Sequence, residues 1–449
     1  MPTIELPDFP QTEQQFEDCV AALFQAAGYF VERNVEEVDR SPLGTLNILE
    51  MDVVATRWVN GSVDKVLVEA KSGGWGISDV FKVLGWATYL GIERSAVFVN
   101  ESAKGRNVAA VGKKFEPLRV SLCALGTADT MHDRFRAAGF PAIREPRLID
   151  QWRWVFTIMR KLENHVRACH ASGHARVGTT ELLAYERLIN DEVFFQPDDV
   201  VRLRRLYHAF SSHPRLTRAV AEELSGGNFQ ISSGPHGGRL FSAALFRGES
   251  EVLQAAFLLE QRARLAILKA AVDFYCAGEP VPLEGELSVN GVQHKFGWLP
   301  PSFRLGYERL RERSNFEKYP LIWQVFMWGF GGFYISDRAT EELGLLAEIV
   351  EAPLQDVRQA LDAFDVLFPM SGGARWLVHA HDSHCVVLKM FPAPIRGLGV
   401  LLRRELLSLP NLSELEYADR TAGDLALWFR RAYELLSDGA VEPALSVTE

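Results

Sequence analysis

Over the first hundred residues the apolar and polar positions change period several times, and each change predicts an element. Phe16, Val20, Leu23 and Phe24 recur at helical spacing behind Thr12, whose hydroxyl can cap a first turn, and Gly28 ends the run. Tyr29-Phe30-Val31 predicts a strand. A polar loop with Pro42 and Gly44 follows, then an apolar run from Leu46 through Asp52 to Ala55 predicts a second strand. Asn60-Gly61 predicts a tight hairpin turn that returns the chain through Val66-Leu67-Val68 to Glu69-Ala70-Lys71. A helix after Asn100 and a strand over 120–125 complete this part, with Gly126 as its stop.

The pattern then becomes mainly helical. Residues 152–166, 180–189, 200–210, 216–224, 251–277 and 302–312 each show apolar spacing near 3.6, interrupted by loop-like segments at 225–228 and 232–238. Residues 339–350 and 354–364, joined by Glu351-Ala352-Pro353, predict a helix-turn-helix. Residues 368–378 predict a wing turning at Ser371-Gly372-Gly373. The second helix carries Asp356 and Asp362 beside a lone Arg358, so this winged-helix-like element suits protein contact better than DNA reading. The expected fold is therefore α/β in residues 1–128, a mixed sheet flanked by helices, followed by a mainly helical region at 129–336 and a helical, winged-helix-like region at 337–449.

Chemistry concentrates at the strand ends. Side chains alternate along a strand, so Glu69 and Lys71 share one face while Ala70 faces the other. An acid beside a base at the end of a buried strand is costly. The cost is intelligible if the carboxylate holds a hard divalent cation and the ammonium meets a phosphate oxygen or water that gains negative charge. The bland account is a surface lysine paired with a neighbouring acid.

Together, a helix with Phe16-Glu17, a strand bearing Asp52, a hairpin and a Glu69-x-Lys71 strand resemble the PD-(D/E)xK nuclease superfamily, and within it the Mrr-like restriction endonucleases and the archaeal Holliday junction resolvases. Met51 stands where the motif has its proline, and the resemblance covers the first third of the chain. It implies a catalytic set of Glu17, Asp52, Glu69 and Lys71. It further implies Mg²⁺ or Mn²⁺ held by Asp52, Glu69, the Ala70 carbonyl and Glu17, and Lys71 beside the attacking water. Ser72 to Gly76 would form a loop over the site, with Trp75 as a base-stacking ring or as part of a plain turn. Lys82, Lys104, Arg106, Lys113 and Lys114 would meet phosphates or form a solvated helix face.

Composition narrows the setting. With 449 residues, 47% of them hydrophobic, the chain can hold two or three domains, and its formal charge of −10 argues against generic polyanion binding. DNA contact must then rest on local cationic patches. Two lie outside the first third: Arg202, Arg204, Arg205, His208, His213, Arg215 and Arg218, and Arg304, Arg309, Arg311, Arg313 and Lys318, each with acids nearby that could pair with them. Five scattered cysteines suggest a reducing compartment, and His165, Cys169, His170 and His174, like His379, His381, His384 and Cys385, read more simply as structural than as metal ligands. No secretory signal is evident before the first helix, and the apolar run 321–335 is too short to span a bilayer, so no membrane partner is expected and the setting is cytoplasmic. The reading is a Mg²⁺-dependent DNA endonuclease, an anti-phage or restriction effector by resemblance alone, with a homodimer or a protein partner engaging the helical region. A repair or junction-resolving enzyme and an inactive interaction protein that keeps the fold are the alternatives.

Overall fold

The computed structural model describes residues 9–41, 44–59, 61–101, 108–126, 130–172, 251–279, 285–289, 292–296, 301–369, 375–380 and 383–388. Its first third is a five-stranded mixed sheet in sequential order with helices on both faces. Helix α1 (Glu13–Ala26) is entered at Thr12, whose hydroxyl accepts from the Gln15 N–H, and Gly28 in the left-handed region turns the chain into the sheet. Strands β1 (Phe30–Ser41), β2 (Gly44–Val59) and β3 (Ser62–Lys71) run antiparallel. Helix α2 (Ile77–Tyr89) crosses over to β4 (Arg94–Asn100), parallel to β3, and α3 (Val108–Phe115) crosses to β5 (Val120–Leu125), parallel to β4.

One expectation needs correcting. The segment read as a polar loop around Pro42 belongs largely to the ladder, which pairs Phe30 with Thr56 and runs out to Ser41 opposite Gly44. Backbone pairing extends the hairpin well past the point where its side chains stop being apolar, and hydropathy carries no trace of that.

The sheet separates two apolar layers. Val66, Val68 and Ala70 face α1, while Leu67 faces α2 with Val80, Val83, Val97 and Val99. Under α1 the Phe24 ring meets Tyr29, Phe98, Phe135 and Phe140 at centroid distances of 4.9 to 5.7 Å. Edge-to-face packing of this kind adds to the area term. Helix α4 (Met131–Ala137) and the long α5 (Arg147–Ser172) pack on this side, and the same apolar cluster continues without a break into the helical region as far as Leu388.

In that region lie α6 (Glu251–Ala277), a hairpin of β6 (Gly285–Val289) and β7 (Val292–Phe296), α7 (Pro301–Leu310), and α8 (Tyr319–Gln324), which widens into a π-helical turn at Val325–Gly329. Next come β8 (Phe333–Ile335), α9 (Ala339–Ile349), α10 (Leu354–Leu367), β9 (Arg375–Ala380) and β10 (Ser383–Leu388), with β10 between β8 and β9 in a three-stranded sheet. The last hairpin pairs Ala380 with Ser383, and the strand at 333–335 supplies the sheet's third member. Predicted helices at 180–189, 200–210 and 216–224, the loops at 225–228 and 232–238, the first basic group and the turn at 371–373 lie outside the described residues.

Gln324 ties the two regions together. Its side-chain amide donates to the Val31 carbonyl at 2.8 Å and accepts the Val31 N–H at 3.1 Å, so a buried glutamine covers backbone groups of an edge strand. Gln324→Leu would leave both groups buried and unpaired, at an expected cost of about 2–3 kcal/mol. Urea unfolding checks this, and an unchanged midpoint would mean water takes over the glutamine's role.

Candidate functional site

Pairing of β2 with β3 includes Val53 opposite Val68, so the next positions along the ladder are Asp52 and Glu69. Both stand where the apolar layer beneath α2 gives way to charge. Asp52 is fixed by its own backbone surroundings, since its Oδ2 accepts the Ala70 N–H at 2.7 Å. Glu69, with only 3% of its side chain exposed, receives the Lys71 ammonium at 2.6 Å and the Lys82 ammonium at 2.9 Å, both on Oε1. Lys82 reaches in from α2, and Asp79 in the same helix uses its carboxylate to accept the Gly76 N–H at 2.6 Å, anchoring the helix start.

The surroundings of Asp52 disfavour its charged form. Burial pushes the Asp52 carboxyl up to about 7, and repulsion from Glu69 and from Glu17 adds to this, against the Ala70 N–H and the Lys71 charge. For Lys71 burial favours the neutral amine, but the hydrogen bond and charge of Glu69, with Asp52 and Asp79, outweigh it and raise its pKa.

Glu17 is close enough for Asp52 to feel its charge, but its carboxylate is committed elsewhere. Its Oε2 accepts from Arg160 Nη2 at 3.0 Å, and the same guanidinium binds Asp18 at 2.8 Å. Asp18 also accepts from Arg33 at 2.6 Å, and Arg33 and Arg262 both reach Glu163 at 3.3 Å. Three acids and three arginines thus form one chain of charge from α1 through β1 and α5 to α6. Burial raises the Glu17 carboxyl, opposed by Arg160.

The structure brings Asp52, Glu69, Ala70, Lys71 and Lys82 together, whereas it does not bring the Glu17 carboxylate into contact with them: Arg160 holds it. Trp75 is partly buried against the layer under α2, Phe81 is 57% exposed and in edge contact with Phe115, and the ring nearest a site ammonium is Trp86, 4.0 Å from Lys82 Nζ. Lys113 and Lys114 lie exposed in the last turn of α3. Lys104 and Arg106 lie outside the described residues, as do His174 and His381 and the side chains of His165, Cys169, His170, His379, His384 and Cys385. In the second basic group Arg311 pairs with Glu308, Arg313 donates to the Gln359 carbonyl and Lys318 to the Glu351 carbonyl, so these three cations are spent locally. Sequence reasoning missed Arg160. Its only trace is an arginine set one turn from Phe156 on an otherwise apolar stripe of α5.

Among the described residues no three histidine, cysteine, aspartate or glutamate side chains are grouped as a ready-made metal cage. Two carboxylates side by side, one with a strongly raised pKa, nonetheless match the hard oxygen donors and low protein-ligand count of a Mg²⁺ site completed by water and phosphate. Among the described residues no helix is long and apolar enough to cross a membrane. Comparison with family models, with curated proteins and with solved structures found no match.

Proposed function

We propose that this chain is a divalent-metal-dependent DNA endonuclease whose active site is built on Asp52, Glu69 and Lys71, as in the PD-(D/E)xK nucleases it resembles. The observation that carries the reading is the convergence of Asp52, Glu69 and the Lys71 ammonium at the end of the β2–β3 pair, with the Asp52 carboxyl held well above its ordinary range. Asp52 and Glu69 would hold Mg²⁺ or Mn²⁺ together with the Ala70 carbonyl, and Glu17, if released by Arg160, would steady a water. The bound ion supplies Lewis-acid polarisation of the scissile phosphate. Lys71 keeps its proton at neutral pH and stands beside that phosphate. There its positive charge offsets the negative charge that builds as a water oxygen bonds to phosphorus and the bond to the leaving oxygen breaks. The reaction would take place in the cytoplasm, and restriction or phage defence is the setting that the resemblance suggests.

We read the strand, two helices and hairpin at β8–β10, with β10 central in their sheet, as a winged-helix-like element. Its second helix uses its exposed charge internally, Asp362 on Arg375 and Arg358 on Thr340, which supports a protein-contact role over DNA reading. A protein partner or a second copy would engage that region.

A second reading, an interaction protein that retains the fold without activity, draws on two observations: Glu17 is occupied by Arg160, and Glu69 by two lysines. Plasmid nicking with Mg²⁺ and with Mn²⁺ separates the two. Wild type should nick, and Lys71→Ala should lose about two orders of magnitude in rate. Equal behaviour of the two proteins in every condition would remove the enzyme reading. Parallel assays on linear and four-way DNA distinguish a general nuclease from a junction resolvase.

A further inference from the structure

The two ammonium groups on Glu69 Oε1 are not equivalent. Lys71 follows Glu69 by two positions in one strand and shares its face by construction. Lys82 arrives from a different element, has 40% of its side chain exposed, and lies 4.0 Å from the centroid of the Trp86 ring, one helical turn further along α2. An ammonium over a tryptophan face is held by the ring's quadrupole without any carboxylate. Lys82 can therefore release Glu69 and still have a favourable place to rest.

Charge neutrality gives that release a purpose. Asp52 and Glu69 are neighbours on the β2–β3 ladder and the Lys71 and Lys82 ammonium groups meet at Glu69, so two acids stand against two bases. A divalent cation entering beside both lysines would leave two surplus positive charges in a largely buried place. Balance returns if one ammonium departs and one phosphate diester arrives. Of the two lysines, only Lys82 has both solvent and an aromatic face within reach.

We propose that Lys82 is a resident counter-cation that holds the Glu69 carboxylate until a divalent cation displaces it, its ammonium then turning toward the incoming phosphate. The inference rests on the nuclease reading of the site and names a positioning residue for it. Lys82 occupies cation space in advance, offsets part of the charge that the two acids present to each other, and raises the metal concentration needed to fill the site.

The test is Mn²⁺ binding by the full chain at pH 8, followed by loss of the free-ion electron paramagnetic resonance signal, with no nucleic acid present. Removing a competing half-exposed ion pair should tighten Mn²⁺ binding by about threefold to fivefold in Lys82→Ala. Lys82→Gln, which keeps the stem over Trp86, should tighten it similarly, and Lys82→Arg should bind as the wild type does. Asp52→Asn should bind at least tenfold more weakly than wild type. If Lys82→Ala and Lys82→Gln bind Mn²⁺ no more tightly than wild type while Asp52→Asn weakens it, the counter-cation role is overturned and the metal site stands. If Mn²⁺ binding is indifferent to Asp52→Asn, or absent at millimolar concentration from wild type and both Lys82 variants, the site reading fails and the proposal with it.

Discussion

At pH 8, millimolar Mg²⁺ or Mn²⁺ should raise the thermal midpoint of the wild-type protein by about 2–5 °C and leave Asp52→Asn unmoved. The expectation follows from the direction of the Asp52 shift. Its carboxyl lies at about 7 in the folded chain against an ordinary value of 3.8. The folded state therefore keeps a proton that the unfolded state has already lost over that range. Stability from this group is intact below about pH 4, falls as pH rises toward 7, and is gone above it. At roughly 1.4 kcal/mol per pH unit the penalty approaches 4 kcal/mol at most, and water entering the site reduces it. A divalent cation bound to the Asp52 carboxylate favours its charged form and offsets the penalty, so the metal-induced rise should grow from pH 5.5 to pH 8. Asp52→Asn removes the penalty outright and, in chelator at pH 8, should be the more stable protein while losing nicking activity. A variant less stable than wild type under those conditions would mean that Asp52 is structural. Activity should likewise rise between pH 6 and 8 as Asp52 ionises.

Arg33→Ala should cost about 3–5 kcal/mol, since removing one partner from a buried ionic cluster strands the others. Arg33 is 4% exposed, bridges Asp18 to Glu163 and lies 4.6 Å over the Phe156 ring. Its loss leaves Glu163 with Arg262 alone and opens a gap between β1 and α5. Arg33→Lys keeps the charge but cannot span both acids, and should fall between the two. Denaturant midpoints measure the series. A loss under 1 kcal/mol for Arg33→Ala would show that the remaining arginines redistribute to cover both acids.

Legibility in the sequence followed burial. The α1 cap, the stop at Gly28, the turn at Gly61 and the strands β3 and β5 were readable because each is bounded by a cap, a glycine or an abrupt change of hydropathy. The outer half of the β1–β2 hairpin was not, because it alternates charged residues and its pairing is made by backbone alone. The β6–β7 hairpin and the three-residue β8 were equally hidden, being too short for a period to register. At the candidate site, Glu69 and Lys71 announced themselves by following three buried apolar residues. That Glu17 is tied to Arg160, more than 140 positions away, depends on how α5 lies across α1, and local spacing says nothing of it. Trp75 drew attention by its type, yet the ring over the Lys82 ammonium is Trp86, one turn along α2.

The Gln324 amide over Val31 bears on how this protein can be dissected. A truncated chain ending after β5 would bare a hydrogen-bonding rail along β1 and strip α5 from the apolar surface under α1. Two such fragments would zip together along that rail, so expression of the sheet alone should yield oligomers, and nuclease assays belong on the intact polypeptide.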